Sequence, residues 1–208
     1  MKIEKVVVGP LQTNCYLLWN KSQTVIIDPG GEPEKIFSLI ASPVSLIIAT
    51  HGHPDHVGAL WAIKHEFPKA KFLIHQAELP ILREATRGAQ EVLNWKIPEP
   101  PLPDKFLQKS QKISLLASPS SLLTVLHTPG HSPGSVCLLG KDSLFTGDTL
   151  FAQGYGRTDF PLGDEKVMIQ SLKRLAQLPK NLTIYPGHGP ATSLGQSLEW
   201  LQGPLGVW

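Results

Sequence analysis

The chain has 208 residues, 41% of them hydrophobic, with 19 Lys+Arg against 17 Asp+Glu and a formal net charge of +2. That length suits one generous domain, expected over residues 1–208, and the composition is ordinary for a packed core. The near-neutral balance, without runs of like charge, offers no electrostatic footprint for nucleic acid or a membrane surface, and no segment approaches the ~18 apolar residues of a membrane span.

In chain order, the opening MKIEKVVVGP has an apolar stretch too short for a signal-peptide core and no cleavage site, so a cytoplasmic protein is expected. Short β-rich runs closed by polar or glycine-rich turns follow one another: IEKVVV, NCYLLW, TVIIDPGG, VSLIIAT, AKFLIH, QKISLL, LLTVLHTPG, SVCLLG, DSLFTGD and NLTIYPG. Helix-period stretches lie between them at about 32–41, 56–67, 76–87, 164–177 and 193–202. In the second, Val57, Leu60, Ile63 and Phe67 form one apolar face; Asp164 is placed to cap the fourth. Sheets covered by amphipathic helices are the expected architecture, because each apolar sheet face must be buried against something.

The proline-dense WKIPEPPLPD (95–104) reads as a surface connection, with a lid as the alternative. Cys15 and Cys137 sit in strand-like runs and form no CxxC pair, so they read as core residues. The tail EWLQGPLGVW offers Trp200 or Trp208 for packing on a partner or on its own domain, and the oligomeric state stays open.

The densest chemistry is HGHPDH, residues 51–56, directly after the apolar run SLIIAT. At this chain's own His and Asp frequencies, HxHxDH should arise by accident roughly 4 times in 10,000. Gly52 permits a tight turn and Pro54 stiffens it, so His51 and His53 can converge on one cation while Asp55 and His56, at the start of the next helix, turn toward another. Six residues cannot fill two coordination spheres. Further ligands of the right type follow other strands: His131 in HTPGHSPGS, Asp148 in LFTGDT and His188 in IYPGHGP. His65, His75 and His127 read as surface or supporting residues, outside the ligand set.

These residues resemble the metallo-β-lactamase superfamily, whose pattern is HxHxDH, a distant His, a distant Asp and a final His; Asp28 in IIDPGG resembles that family's early aspartate, which holds the metal loops in place. The resemblance implies an α+β fold, an αββα sandwich with two central mixed β-sheets covered by helices and the site at one edge. It implies His51, His53 and His131 on a first metal, Asp55, His56 and His188 on a second, and Asp148 bridging them. The cofactors would be two divalent ions, zinc first, with iron or manganese as alternatives, since His and carboxylate ligands suit all three. The implied reaction is hydrolysis of an ester, thioester or amide by a metal-held hydroxide of pKa about 7, with Asp55 orienting the hydroxide and accepting its proton.

Within the superfamily, His56, Asp148 and His53 depart from the commonest β-lactamases and from the flavodiiron oxygen reductases, and the length and charge show no added basic domain of the phosphodiester-cleaving kind. TPGHSPGS and LFAQGYGRTDFPLGD are similar to the glyoxalase II group, in particular its short, single-domain hydrolases. That likeness implies a small-molecule thioester substrate, S-lactoylglutathione-like and glutathione-linked, with Arg157 and Tyr155 as substrate-binding residues. Two departures stand out: Asp159 occupies the place of an aromatic glutathione contact, and the chain ends about 20 residues after His188, without the family's C-terminal helical domain. A mononuclear-iron persulfide dioxygenase acting on glutathione persulfide shares the metal pattern and GRTDF, and is the alternative; a non-catalytic metal-binding module is a minor one.

Overall fold

A computed structural model describes residues 2–114, 122–203 and 206. Two six-stranded sheets face each other. The first runs in the order β1 (Lys2–Val8), β2 (Thr13–Trp19), β3 (Thr24–Ile27), β4 (Val44–Ile48), β5 (Lys71–His75) and β6 (Lys105–Leu107). The second runs β12 (Thr192–Ser193), β11 (Thr183–Pro186), β10 (Ser143–Gly147), β9 (Val136–Leu139), β8 (Leu122–His127) and β7 (Lys112–Ser114). Both are mixed: β1 to β3 pair antiparallel and β3 to β6 parallel, while β10–β11 is the one parallel pair of the second sheet.

Period-2 alternation sorts the strand side chains into layers. In β2, Cys15 and Leu17 join the core under the first sheet's helices, while Tyr16 and Leu18 point between the sheets. The middle layer holds Ile27, Ile48, Leu73, Val125, Leu138 and Phe145, all buried; each such side chain contributes roughly 1.5–3 kcal/mol. A third core packs the second sheet against α5 (Glu165–Leu175) and α6 (Leu194–Gln202). The first sheet is covered by α1 (Pro33–Phe37), α2 (Pro54–Val57), α3 (Leu60–Glu66) and α4 (Leu79–Leu93). The layers are therefore α, β, β, α, as the resemblance implies. Cys15 and Cys137 are both fully buried.

The elements differ from the sequence expectation at their ends. The helix expected over 56–67 is two helices, broken at Gly58, where a Cβ would stand 2.4 Å from the Trp95 ring and 2.5 Å from the Gly30 carbonyl. Trp95 belongs to the proline-rich segment and anchors it against the core, and the segment runs on as an extended connection to β6 without lining the cleft described below. The helix expected over 76–87 opens with a 3-10 turn, Gln76–Glu78, and then runs to Leu93. Asp164 caps α5 through the Val167 amide, and Ser193 with Gln196 forms a capping box on α6. Strands β6 and β12, three and two residues long, carry too little periodicity to be read from sequence. Expectations for 115–116 of QKISLL and for Trp208 lie outside the described residues. Among the described residues, no helix is long and apolar enough to cross a membrane.

Candidate metal centre

The sandwich brings four loops to one edge. His51, His53, Asp55 and His56 follow β4, His131 follows β8, Asp148 is the residue after β10, and His188 comes two residues after β11. All seven side chains expected from sequence meet there. His51, His53 and His131 present ring nitrogens within 4.8 Å of one another; a carboxylate oxygen of Asp55 and ring nitrogens of His56 and His188 do the same, and His51, His56 and Asp148 form a third such group that links the two. At His188 the approach is tight: a Cβ on neighbouring Gly187 would stand 2.1 Å from Asp148 Oδ1, so only glycine lets the backbone pass.

Polar contacts at the back of the rings fix which nitrogen faces inward. His131 Nδ1 donates to the Arg157 carbonyl (2.7 Å), and His188 Nδ1 to the Leu11 carbonyl (3.1 Å). His56 Nδ1 lies 3.0 Å from Asp28 Oδ2. Each arrangement leaves Nε2 pointing into the site, the tautomer a metal ligand requires. The inward atoms crowd one another: His56 Nε2 is 3.3 Å from Asp148 Oδ1, His188 Nε2 is 3.2 Å from Asp55 Oδ2, and His53 Nδ1 is 2.9 Å from His131 Nε2. Among the described residues, the inward-facing buried atoms His51 Nε2, His56 Nε2 and Asp148 Oδ1 make no hydrogen bond, nor does His56 Nδ1, which meets Asp28 only as an ion pair. Buried polar atoms without partners are costly, and here they converge on shared points. This donor set of imidazoles and carboxylates fits divalent cations.

Without metal, the charges arrange themselves in two groups. Burial holds His51 well below its usual pKa and takes His53 down to about 4, with His131 adding to the effect on His53. Burial also disfavours the charged form of His56, but Asp55, Asp148 and Asp28 override it and raise His56 well above the usual value. His188 is raised in the same way, against its burial, by its hydrogen bond to Asp55 and by Asp148. In return, burial of Asp55 and Asp148 is outweighed by His56 and His188, and both carboxyls lie below the ordinary range.

Asp28, the early aspartate, accepts from the Thr50 amide (2.7 Å) and the Thr50 hydroxyl (2.8 Å) while facing His56, and it adopts φ 53°, a conformation Asp tolerates better than most residues. Glu78 performs the corresponding task on the other side and is not legible in sequence. Fully buried, it accepts from the Gly52 amide (2.7 Å), the Ser132 hydroxyl (2.7 Å) and the Gly134 amide (2.6 Å). It thereby ties the HGHPDH loop to the His131 loop; burial raises its pKa against those three hydrogen bonds. Asn14 also escaped the sequence: its side chain donates to the Pro186 and Gly189 carbonyls on either side of His188, and Thr13 donates to Asp55 Oδ2 (3.0 Å). A lone acid in HQAELP and the polar pair that opens TNCYLLW carry no spacing signal. His75 and His127 stack at 4.3 Å away from the inward-facing atoms, and His65 stacks on Trp61 on the outer face of α3.

The site opens into a cleft of about 780 Å³. Tyr155 and Arg157 line it, but Arg157 is already occupied: its guanidinium holds Asp159 through two bonds of 2.7 Å and lies 4.1 Å from the Phe160 ring centre. Asp159, which stands where the glyoxalase II pattern has an aromatic residue, is thus the partner of Arg157, two positions before it. Tyr155 donates to Glu165 (3.2 Å).

Comparison with known proteins agrees with this geometry. The model of the metallo-beta-lactamase superfamily matches residues 8–188. Hydroxyacylglutathione hydrolase GloC of Haemophilus influenzae is 35% identical over 203 residues, covering 94% of each chain. Among solved structures, TTHA1623 in a di-iron-bound form is 37% identical with a TM-score of 0.84, over 94% of this chain and 96% of that one. The BLEG-1 B3 metallo-beta-lactamase is 33% identical with a TM-score of 0.85, over 95% and 97%.

Proposed function

The chain belongs to the metallo-beta-lactamase superfamily, and we propose that within it the protein is a two-metal hydrolase of thioesters, of the glyoxalase II type. The observation that carries the reading is the pair of three-residue donor groups joined through His51, His56 and Asp148. His51, His53 and His131 would hold one ion, Asp55, His56 and His188 the other, and Asp148 would reach both. Zinc, iron and manganese all suit these ligands, and the similar TTHA1623 was solved with two irons. Bound metal would supply Lewis acidity, lowering the pKa of water to about 7 and polarising the substrate carbonyl.

The remaining work falls to side chains. Asp55 Oδ2 accepts from Thr13 Oγ1 and faces His188 Nε2, so the carboxylate is positioned to orient a water and take its proton as the water adds to the carbonyl. Collapse of the tetrahedral adduct breaks the C–S bond, and the departing thiolate recovers that proton. Tyr155 and Arg157 face the substrate from the cleft wall. The Arg157–Asp159 pair is exposed, and exposed pairs are weak enough for a glutathione carboxylate to take the place of Asp159 on the guanidinium. The likeness to a hydroxyacylglutathione hydrolase supports S-lactoylglutathione as the first substrate to assay.

Metal analysis together with that assay tests the proposal. About two equivalents of metal per chain with hydrolysis of S-lactoylglutathione and related thioesters is expected. One iron per chain, with oxygen uptake on glutathione persulfide and no thioester hydrolysis, would overturn it, as would cleavage of a β-lactam in preference to every thioester.

A further inference from the structure

We propose that the cleft selects thioesters whose acyl group is an apolar chain, laid along α4, over the short, polar hydroxyacyl group of S-lactoylglutathione. This rests on the thioesterase reading above. His53, Asp55, His131, Asp148 and His188 form the floor of the cleft, and one wall is a face of α4. Ile81, Gly88 and Val92, spaced i, i+7 and i+11, turn from that wall toward the site, and Ala85, buried at i+4, closes the stripe at its base where α4 meets the core. The two charged residues of the same wall, Glu84 and Arg87, pair with each other at 2.7 Å, so no unbalanced charge faces an acyl group.

Leu11 and Leu162 border the same cleft. Seven large hydrophobic side chains are strongly exposed among the described residues, and three of them, Leu11 (47%), Val92 (74%) and Leu162 (59%), line this one cavity. Concentration of exposed apolar surface around a reactive floor marks a ligand groove, because water is a poor covering for it. Two local features go against folding preference in the same place. Leu162 adopts φ 72°, a left-handed conformation unfavourable for a bulky side chain, and so is held out over the cleft at a cost to the backbone. Gly88 sits inside α4, where glycine weakens a helix, yet a Cβ there would meet only Pro54 Cγ, at 3.6 Å. The glycine is not needed for close packing. It widens the groove directly above Pro54, beside the metal loop.

An acyl series on one thiol tests the proposal: acetyl, butanoyl, hexanoyl and octanoyl thioesters of N-acetylcysteamine and of glutathione, with S-lactoylglutathione as the reference. With the metal-loaded protein, kcat/KM is expected to rise roughly three- to fourfold per methylene until the groove is full. Leu162→Asn, a residue type that accepts positive φ and so keeps the fold, should lower the ratio of octanoyl to acetyl kcat/KM by roughly three- to tenfold. Gly88→Leu should move the optimum to a shorter chain. Binding gives an independent readout: by calorimetry, the non-hydrolysable S-octyl thioether of N-acetylcysteamine should bind more tightly than the S-methyl one, and less so in Leu162→Asn. Hydrolysis that is flat with chain length, or fastest for the lactoyl group, would overturn the apolar preference and leave the thioesterase reading standing, as would thioether affinities independent of length. Failure to hydrolyse any thioester would overturn both.

Discussion

The floor and the wall of the cleft are built on opposite principles. The floor is buried, assembled from four loops at the ends of β4, β8, β10 and β11, and its rings are held from behind by Asp28, Leu11 and Arg157 backbone or side-chain atoms. The inward atoms that make no hydrogen bond among the described residues, His51 Nε2, His56 Nε2 and Asp148 Oδ1, point at shared positions. The wall is exposed and self-sufficient: Arg157 holds Asp159, Arg87 holds Glu84, and Val92 and Leu162 face solvent. The floor therefore offers donor atoms to cations, while the wall offers exposed apolar surface to a ligand. In the proposed hydrolase the chemistry would belong to the first and substrate choice to the second.

The largest expected separation comes from Asp148→Ala, which removes the carboxylate of the group that links the other two. Metal stoichiometry and turnover should fall together, turnover on the order of 10³-fold or more. A variant that kept both would take Asp148 out of the floor. Glu78→Gln touches no inward-facing atom yet should weaken metal binding roughly 10- to 100-fold, because an amide placed against the Gly52 N–H loosens the tie between two ligand loops. The same change should cost about 1–3 kcal/mol of stability in denaturant titrations, as one buried group loses its partner. Equal metal affinity in a destabilised Glu78→Gln protein would confine Glu78 to folding.

The floor should also reveal itself through protons. In the metal-free protein His56 and His188 have raised pKa values, so their protonated forms stabilise the fold below about pH 6.5, and this contribution fades as pH rises through the folded values. His53, with a pKa of about 4, works the other way: stability of the metal-free protein drops as pH falls from about 6.5 toward 4. Metal requires neutral rings, so loading at neutral pH should expel protons from His56 and His188, and apparent affinity should increase with pH. Calorimetric titration in two buffers of different ionisation enthalpy measures the release, and identical heats would contradict it.

At the wall, effects shrink and acquire opposite signs. Arg157→Ala should raise KM for glutathione thioesters by roughly two- to fivefold, whereas Asp159→Asn, which frees the guanidinium, should lower it by a similar factor. Two changes of the same sign would make the pair a structural clip. Smallest of all, Gly88→Ala should raise stability by about 0.5–1 kcal/mol, seen as a thermal shift of roughly 1–4 °C, since alanine suits the helix and a Cβ there meets only Pro54.

Most of the floor was legible in sequence because its signals are short-range. A buried run, a tight turn and closely spaced His and Asp make HGHPDH readable by itself, and His131, Asp148 and His188 each follow a strand at a glycine-bearing turn. The nearly continuous apolar runs of β2, β3 and β4 were readable as strands in the same way, and side chains from both of their faces are buried. Glu78 and Asn14 were hidden because a single acid or amide has no period, and its partners lie 54 and 172 residues away, at Ser132 and Pro186. The wall was hidden for another reason. In α4, Leu82, Ala85 and Ala89 are buried while Ile81 and Val92 turn toward the cleft, and hydrophobic periodicity cannot tell a face that meets a core from one that meets a groove.

By itself, then, the sequence determined the donor types, their places after strands and the family to which they belong, since these depend on neighbours along the chain. Only the tertiary structure decided which nitrogen of each ring faces inward, that Glu78 locks the ligand loops, and that Asp159 already occupies Arg157. Those outcomes depend on distances between segments far apart in the chain, and such distances exist only once the two sheets have packed.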